Sequence, residues 1–76
     1  MDCNIGTVLL FAGNYAPVNF ALCDGSLLEI KQNAALYSII GTKYGGNPLY
    51  FNLPKLDAPS GFTYIICTNG LYPERP

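Results

Sequence analysis

The residues that could do chemistry in this chain are few and badly spaced for it. Among its 76 residues there is no His, so the commonest general base and the commonest neutral metal ligand are both missing. The carboxylates Asp24, Glu29, Asp57 and Glu74 are scattered, whereas glycoside hydrolysis needs a pair about 5–10 Å apart across a cleft. Asp24 beside Gly25 reads as a turn former, and Glu29 as part of a solvated face. Cys3, Cys23 and Cys67 are an odd set without a Cys-x-x-Cys spacing, and no His can complete a zinc site. They read as three small buried hydrophobes, with one disulfide plus one free thiol as the alternative. A catalytic thiolate would need an activating base, and no His supplies one. Tyr44-Gly45-Gly46-Asn47 has the composition of a phosphate-cradling loop, but such a loop continues into Lys-Ser/Thr and a helix. Pro48 and an extended stretch follow instead, so the glycines read as a turn needing positive φ. The expectation is no catalytic residue, no cofactor and no metal. Six Tyr offer apolar bodies with polar tips, suited to stacking on a sugar or to protein contact. Core and subunit packing is the plainer reading of the same residues.

Composition narrows the class further. Charged residues make up 12 % of the chain and hydrophobic ones 50 %, against roughly 25 % charged in an ordinary soluble domain. The net charge of −1 gives no surplus to neutralise a phosphate backbone, so a nucleic-acid partner is not expected. The chain is too apolar for disorder and too short for two domains. A domain of about 60 residues buries only about 60 % of its unfolded surface. A chain this short of polar cover is expected to hide part of its exterior against copies of itself or a partner. The apolar run Val8 to Ala12 is far below the roughly 20 residues of a bilayer span. No basic segment precedes it, so no signal peptide is visible. That fits either synthesis without a leader or a leader already removed.

The elements that must position these residues are short. Gly6 to Phe11 reads as a buried strand, ended by Gly13-Asn14. Phe20 to Cys23 reads as a second strand, Asp24-Gly25 as a turn, and Leu27 to Ile30 as a third strand completing a hairpin. Leu36, Ile39 and Ile40 share one face of a helix of about two turns. Asn33 is its N-cap or its first residue, and Gly41 is expected in the left-handed position after it. Leu49 to Pro54 is extended, an edge or terminal segment because of Pro54. Phe62 to Cys67 is the strongest strand. Asn69-Gly70 turns the chain into an extended tail, Leu71 to Pro76.

In order, these blocks resemble the phage tail collar domain family. Gly6, then Val8 to Phe11 with Ala12-Gly13, matches its opening strand. Pro17 and Phe20-Ala21-Leu22-Cys23-Asp24-Gly25 match the next block, and Gln32-Asn33, Ala35-Leu36 and Ile39-Ile40-Gly41 its helix. Tyr44-Gly45-Gly46 is the family hallmark, and Phe51-Asn52-Leu53-Pro54-Lys55-Leu56 its Leu-Pro block. Tyr64-Ile65-Ile66, Gly70-Leu71-Tyr72-Pro73 and Arg75 are similar to the ending of longer members, so the resemblance spans about residues 5–75. Asn19-Phe20 stands where the family usually has Gly-Trp, and Pro48 where it usually has Gly. Asp57 to Gly61 replaces a long polar insertion that many members carry.

The resemblance implies a structural or attachment module and no enzyme. The expectation is a single small α+β domain over residues 1–76, mostly β, with four to five short strands and one short helix. Its core spans about residues 5–67, followed by the tail 71–76. Cys23, Asp24, Gly25, Tyr44, Gly45, Gly46, Leu53 and Pro54 are expected to be structural. Tyr15, Tyr50, Leu71, Tyr72 and Pro73 are the candidate contacts, either for strand exchange between copies or for a surface glycan or receptor. The expected partners are identical copies in an oligomer or filament, on a phage-tail-like particle or outside the cell. Attachment to a cell-surface glycan is the alternative, and neither nucleic acid nor a membrane span is expected.

Overall fold

The computed structural model describes residues 3–73. Five strands and one helix follow in the order β1 (Val8–Phe11), β2 (Phe20–Leu22), β3 (Leu27–Glu29), α1 (Ala34–Ile40), β4 (Tyr50–Asn52) and β5 (Thr63–Cys67). They form a mostly β, α+β fold of two antiparallel sheets, one ordered β1-β5-β2 and the other β3-β4.

The best strand-forming run becomes the centre. In β5, Ile65, Ile66 and Cys67 are all buried, flanked by β1 (Leu9 opposite Ile65) and β2 (Leu22 opposite Ile65). The expected buried strand at the start is instead an edge. Val8, Leu9 and Leu10 are 39, 47 and 46 % exposed on a strand with a sheet neighbour on one side only.

The third strand does not close a hairpin with the second. The Asp24 carboxylate accepts hydrogen bonds from the backbone N–H and the hydroxyl of Ser26, and Gly25 takes φ +82°. This local turn releases the chain from β5 and aims it at the Leu-Pro segment. Leu56 N–H donates to the Cys23 carbonyl at 3.0 Å, and Leu53 N–H to that of Ser26 at 2.9 Å. Asp24 lies opposite Lys55 in the same register that pairs Leu28 with Phe51. Residues 23–29 and 50–56 are therefore one ribbon that stitches the two sheets together.

The helix covers the core with Leu36, which packs with Phe51, Leu53, Ile66, Cys67 and Ile5. Tyr37 meets the edge of Phe51 at 5.4 Å between ring centroids. Ile39 turns out 39 % exposed. Asn33 precedes the helix without capping it through its side chain; its amide donates to the Glu29 carbonyl instead. Gly41 has positive φ as expected, but φ 54°, ψ −142° is not the left-handed helical conformation. Its N–H still satisfies the Tyr37 carbonyl at 2.7 Å.

The cysteines take the alternative reading. Cys3 and Cys67 form a disulfide, and Cys23 is free and buried. The disulfide pins the segment before β1 to the end of β5. Leu71 holds the same segment from the other side, accepting from Ile5 N–H and donating to the Cys3 carbonyl, each at 2.8 Å. The tail is thus tied back onto its own chain as far as Leu71. Glu74 to Pro76, like Met1 and Asp2, lie outside the described residues.

Candidate assembly surface

The family-like motifs are built from backbone needs. Gly46 has φ +145°, and a Cβ there would lie 2.6 Å from the Tyr50 carbonyl oxygen and 2.9 Å from the Phe51 Cα. Gly45, at φ +109°, abuts the Asn52 side chain. The Asn47 carboxamide oxygen accepts from the N–H groups of Leu49 and Tyr50 at 2.9 and 3.0 Å. Tyr44-Gly45-Gly46-Asn47 is therefore a turn folded against β4, with no phosphate-cradling geometry. Cys23, Asp24, Gly25, Leu53 and Pro54 come together along the stitching ribbon.

The reactive groups on that ribbon are held in quiet forms. Hydrogen bonds from the Ser26 hydroxyl, then from its backbone N–H, keep the Asp24 carboxyl below its ordinary pKa. Burial, and then the neighbouring Asp24 charge, push the Cys23 thiol up. Both line a shallow cavity of about 310 Å³ with Lys55, Leu56, Asp57 and Tyr64. Cys23 is thus a protonated thiol and no activated nucleophile, and the Asp24 carboxylate is already engaged by its own turn. Among the described residues no three His, Cys, Asp or Glu cluster as metal ligands. No helix among them is long and apolar enough to cross a membrane.

The five candidate contacts fall on three parts of the fold. Tyr15 stands beyond β1, 61 % exposed, edge-on to Phe11 at 5.3 Å. Tyr50 lies on β4 beside a groove shared with Glu29, Lys31 and Leu49. Tyr72 hydrogen-bonds Ser38 on the helix, hydroxyl to hydroxyl, at 2.6 Å. Leu71, next to it, is exposed in side chain but paired in backbone. Pro73 is half-buried.

Sequence reasoning missed the exposed run Val8-Leu9-Leu10 on β1. A signal for it was present. Residues 3–23 and 58–73, which supply all three strands of the larger sheet, contain no Asp, Glu, Lys or Arg. Every charged side chain among the described residues lies between Asp24 and Asp57. Among the described residues the larger sheet is therefore uncharged, and β1 is one of its two edges.

Gly46 and the side chains of Asp24, Asn33, Asn47 and Asn52 all serve turns and backbone pairing. The phage tail collar domain model matches residues 6–64, and the chain belongs to that family. It is a structural tail-fibre domain family and not an enzyme family, which gives the chain a phage-tail structural role and a virion-associated setting. No curated protein matches the chain. The matched span stops at Tyr64, so the rest of β5 and the Leu71 clasp lie beyond it.

Proposed function

We propose that this chain is a self-associating structural module, assembling with identical copies into an oligomer or filament on a phage-tail-like particle or outside the cell. The exposure of Val8, Leu9 and Leu10 on an uncharged sheet edge carries the reading. Unguarded apolar edges invite pairing with another chain. The Cys3–Cys67 disulfide supports a setting on a particle or cell surface, where disulfides persist. Strand exchange through the tail would first require the two Leu71 backbone hydrogen bonds to break; association through the β1 edge leaves them in place.

Sedimentation velocity over a concentration series, with electron micrographs of the same samples, tests the reading. The expected result is reversible growth beyond the 8.2 kDa single chain. A compact monomer up to high micromolar concentration would sink it. The rival role, attachment to a surface glycan or receptor, predicts glycan-array binding that is lost on substituting Tyr15 or Tyr50, with no ordered polymer.

A further inference from the structure

We infer that Asn69-Gly70 is a site of spontaneous covalent modification, where the Asn69 carboxamide becomes a carboxylate and the Leu71 clasp is loosened as a result. The Gly70 amide nitrogen attacks Cγ of Asn69, its proton passes to solvent base, and the carboxamide nitrogen leaves as ammonia. Water then opens the resulting succinimide at either carbonyl, giving aspartate or isoaspartate. Water is the co-reactant, and nothing is oxidised or reduced. The chemistry needs no second copy of the chain, so it stands or falls apart from self-association.

The fold leaves this one peptide open to attack. Asn69 and Gly70 are both exposed, just past the end of β5. Gly70 has no side chain to shield its nitrogen. Among the described residues its N–H donates to no carbonyl or side chain, and the Asn69 carboxamide makes no hydrogen bond. The other Asn residues are each guarded. The N–H groups that follow Asn4, Asn19 and Asn52 are committed: Ile5 to the Leu71 carbonyl at 2.8 Å, Phe20 to that of Pro17 at 3.0 Å, and Leu53 to that of Ser26 at 2.9 Å. The carboxamides of Asn33 and Asn47 are engaged by backbone, and Pro48 after Asn47 has no N–H. Asn14 is exposed but is followed by the bulky Tyr15. The similar dipeptide Asp24-Gly25 is held by Ser26, which keeps its carboxyl ionised and a poor electrophile.

The clasp needs the very glycine that exposes Asn69. A Cβ on Gly70 would overlap the Cys3 carbonyl oxygen and lie 3.0 Å from its carbonyl carbon. The loop around it is short and anchored at both ends. Cys67 is tied to Cys3 by the disulfide, and its N–H donates to the Thr7 carbonyl at 2.9 Å. Leu71 accepts from Ile5 N–H and donates to the Cys3 carbonyl. Isoaspartate routes the main chain through its β-carbon and so adds an atom between these anchors. With Gly70 already against Cys3, the added length must be taken up at the Leu71 pairing. Either product also puts a negative charge among residues 58–73, which contain no Asp, Glu, Lys or Arg.

The test ages the disulfide-bonded chain in mildly alkaline heavy-oxygen water and follows it by peptide mapping with mass spectrometry. The peptide holding Asn69 should take up heavy oxygen at least about tenfold faster than the one holding Asn14, at a rate that rises with pH. An isoaspartyl methyltransferase should label the aged chain at that peptide. Asn69→Gln, whose longer side chain disfavours ring closure, should fold as the wild type does and stay unconverted. The reduced, urea-unfolded chain gives the rate of the open sequence, and the native rate should lie within about tenfold of it. In the converted protein the Ile5 and Leu71 amides should exchange about tenfold or more faster, while those of β4 hold. Asn69 converting no faster than Asn14, or more than about tenfold slower in the native than in the unfolded chain, would overturn the site. Conversion with unchanged exchange at Ile5 and Leu71 would overturn the loosening of the clasp.

Discussion

The hallmark glycine Gly46 gives the sharpest test of the scaffold reading. Replacing it with Ala introduces a Cβ at φ +145°, 2.6 Å from the Tyr50 carbonyl oxygen and 2.9 Å from the Phe51 Cα. Non-bonded carbons prefer about 3.5–4.0 Å, and both obstructing atoms are backbone of β4, fixed by pairing to β3. The same carbonyl accepts the Asn47 N–H at 2.9 Å, so moving it breaks the turn. A side chain held in a glycine-only region costs about 1–3 kcal/mol, and overpacking adds about 1–3 kcal/mol. Ala also restricts the unfolded chain, which returns about 0.4–1 kcal/mol. The net loss is about 3 kcal/mol, a large part of the total stability expected at roughly 0.05–0.15 kcal/mol per residue. Gly61 is the internal control: its φ is +85° and a Cβ there meets nothing within 4 Å. Gly61→Ala keeps only the backbone cost, about 1 kcal/mol net. With a urea slope of about 1 kcal/mol/M for a chain this small, the midpoints should fall by about 3 M for Gly46→Ala and about 1 M for Gly61→Ala. Equal shifts would show that the close approach to β4 is not what the glycine serves, and the structural account of the motif would fail.

Reduction, or Cys3→Ala/Cys67→Ala, opens a loop of sequence separation 64. Chain entropy puts its loss at about 4 kcal/mol, or a fall of roughly 15–30 °C in Tm for a domain of this size; a calorimetric drop under about 5 °C would contradict it. Asp24 should titrate below its ordinary value of 3.8 by NMR and rise towards it in Ser26→Ala. Because its folded pKa is the lower one, its contribution to stability is present above the unfolded value and lost as pH falls through the folded value. An unchanged Asp24 titration in Ser26→Ala would refute the Ser26 hydroxyl as the leading cause. Cys23, 4 % exposed with its thiol pKa raised, should resist iodoacetamide in the native protein and react once the protein is unfolded. Native labelling at the rate of a free peptide thiol would contradict the burial.

The local code was legible wherever one residue type decides the backbone. Thr63–Cys67 is dense in β-formers and became the central strand. Leu36 and its spacing placed the helix, and the Gly45-Gly46 turn needed positive φ. Partner choice was not legible. Asp24-Gly25 is a strong hairpin signal, yet the Ser26 hydrogen bonds give that turn a different use, and β3 found β4 more than twenty residues away. The burial of β1 was misread because a continuous apolar run fits a central strand and an unguarded edge equally well. Only the position of β5 between β1 and β2 separates them. The disulfide depended on a long-range approach, with Cα atoms of Cys3 and Cys67 6.2 Å apart, that no local spacing encodes.

The same distinction explains where the shortage of polar cover ends up. A small half-apolar domain must expose apolar surface somewhere, and this one does so at Val18, Leu27, Leu49, Leu56 and Leu71 as well as along β1. Among the described residues the charges are gathered between Asp24 and Asp57, on the ribbon, the helix approach and the loops. A charge on β1 would cost little, since its side chains are already about half in water, and would guard the edge. Four consecutive apolar residues there, with no Pro, no charge and no bulge, forgo a protection that was cheap to have. An edge left in that form is best accounted for by a partner that needs it bare.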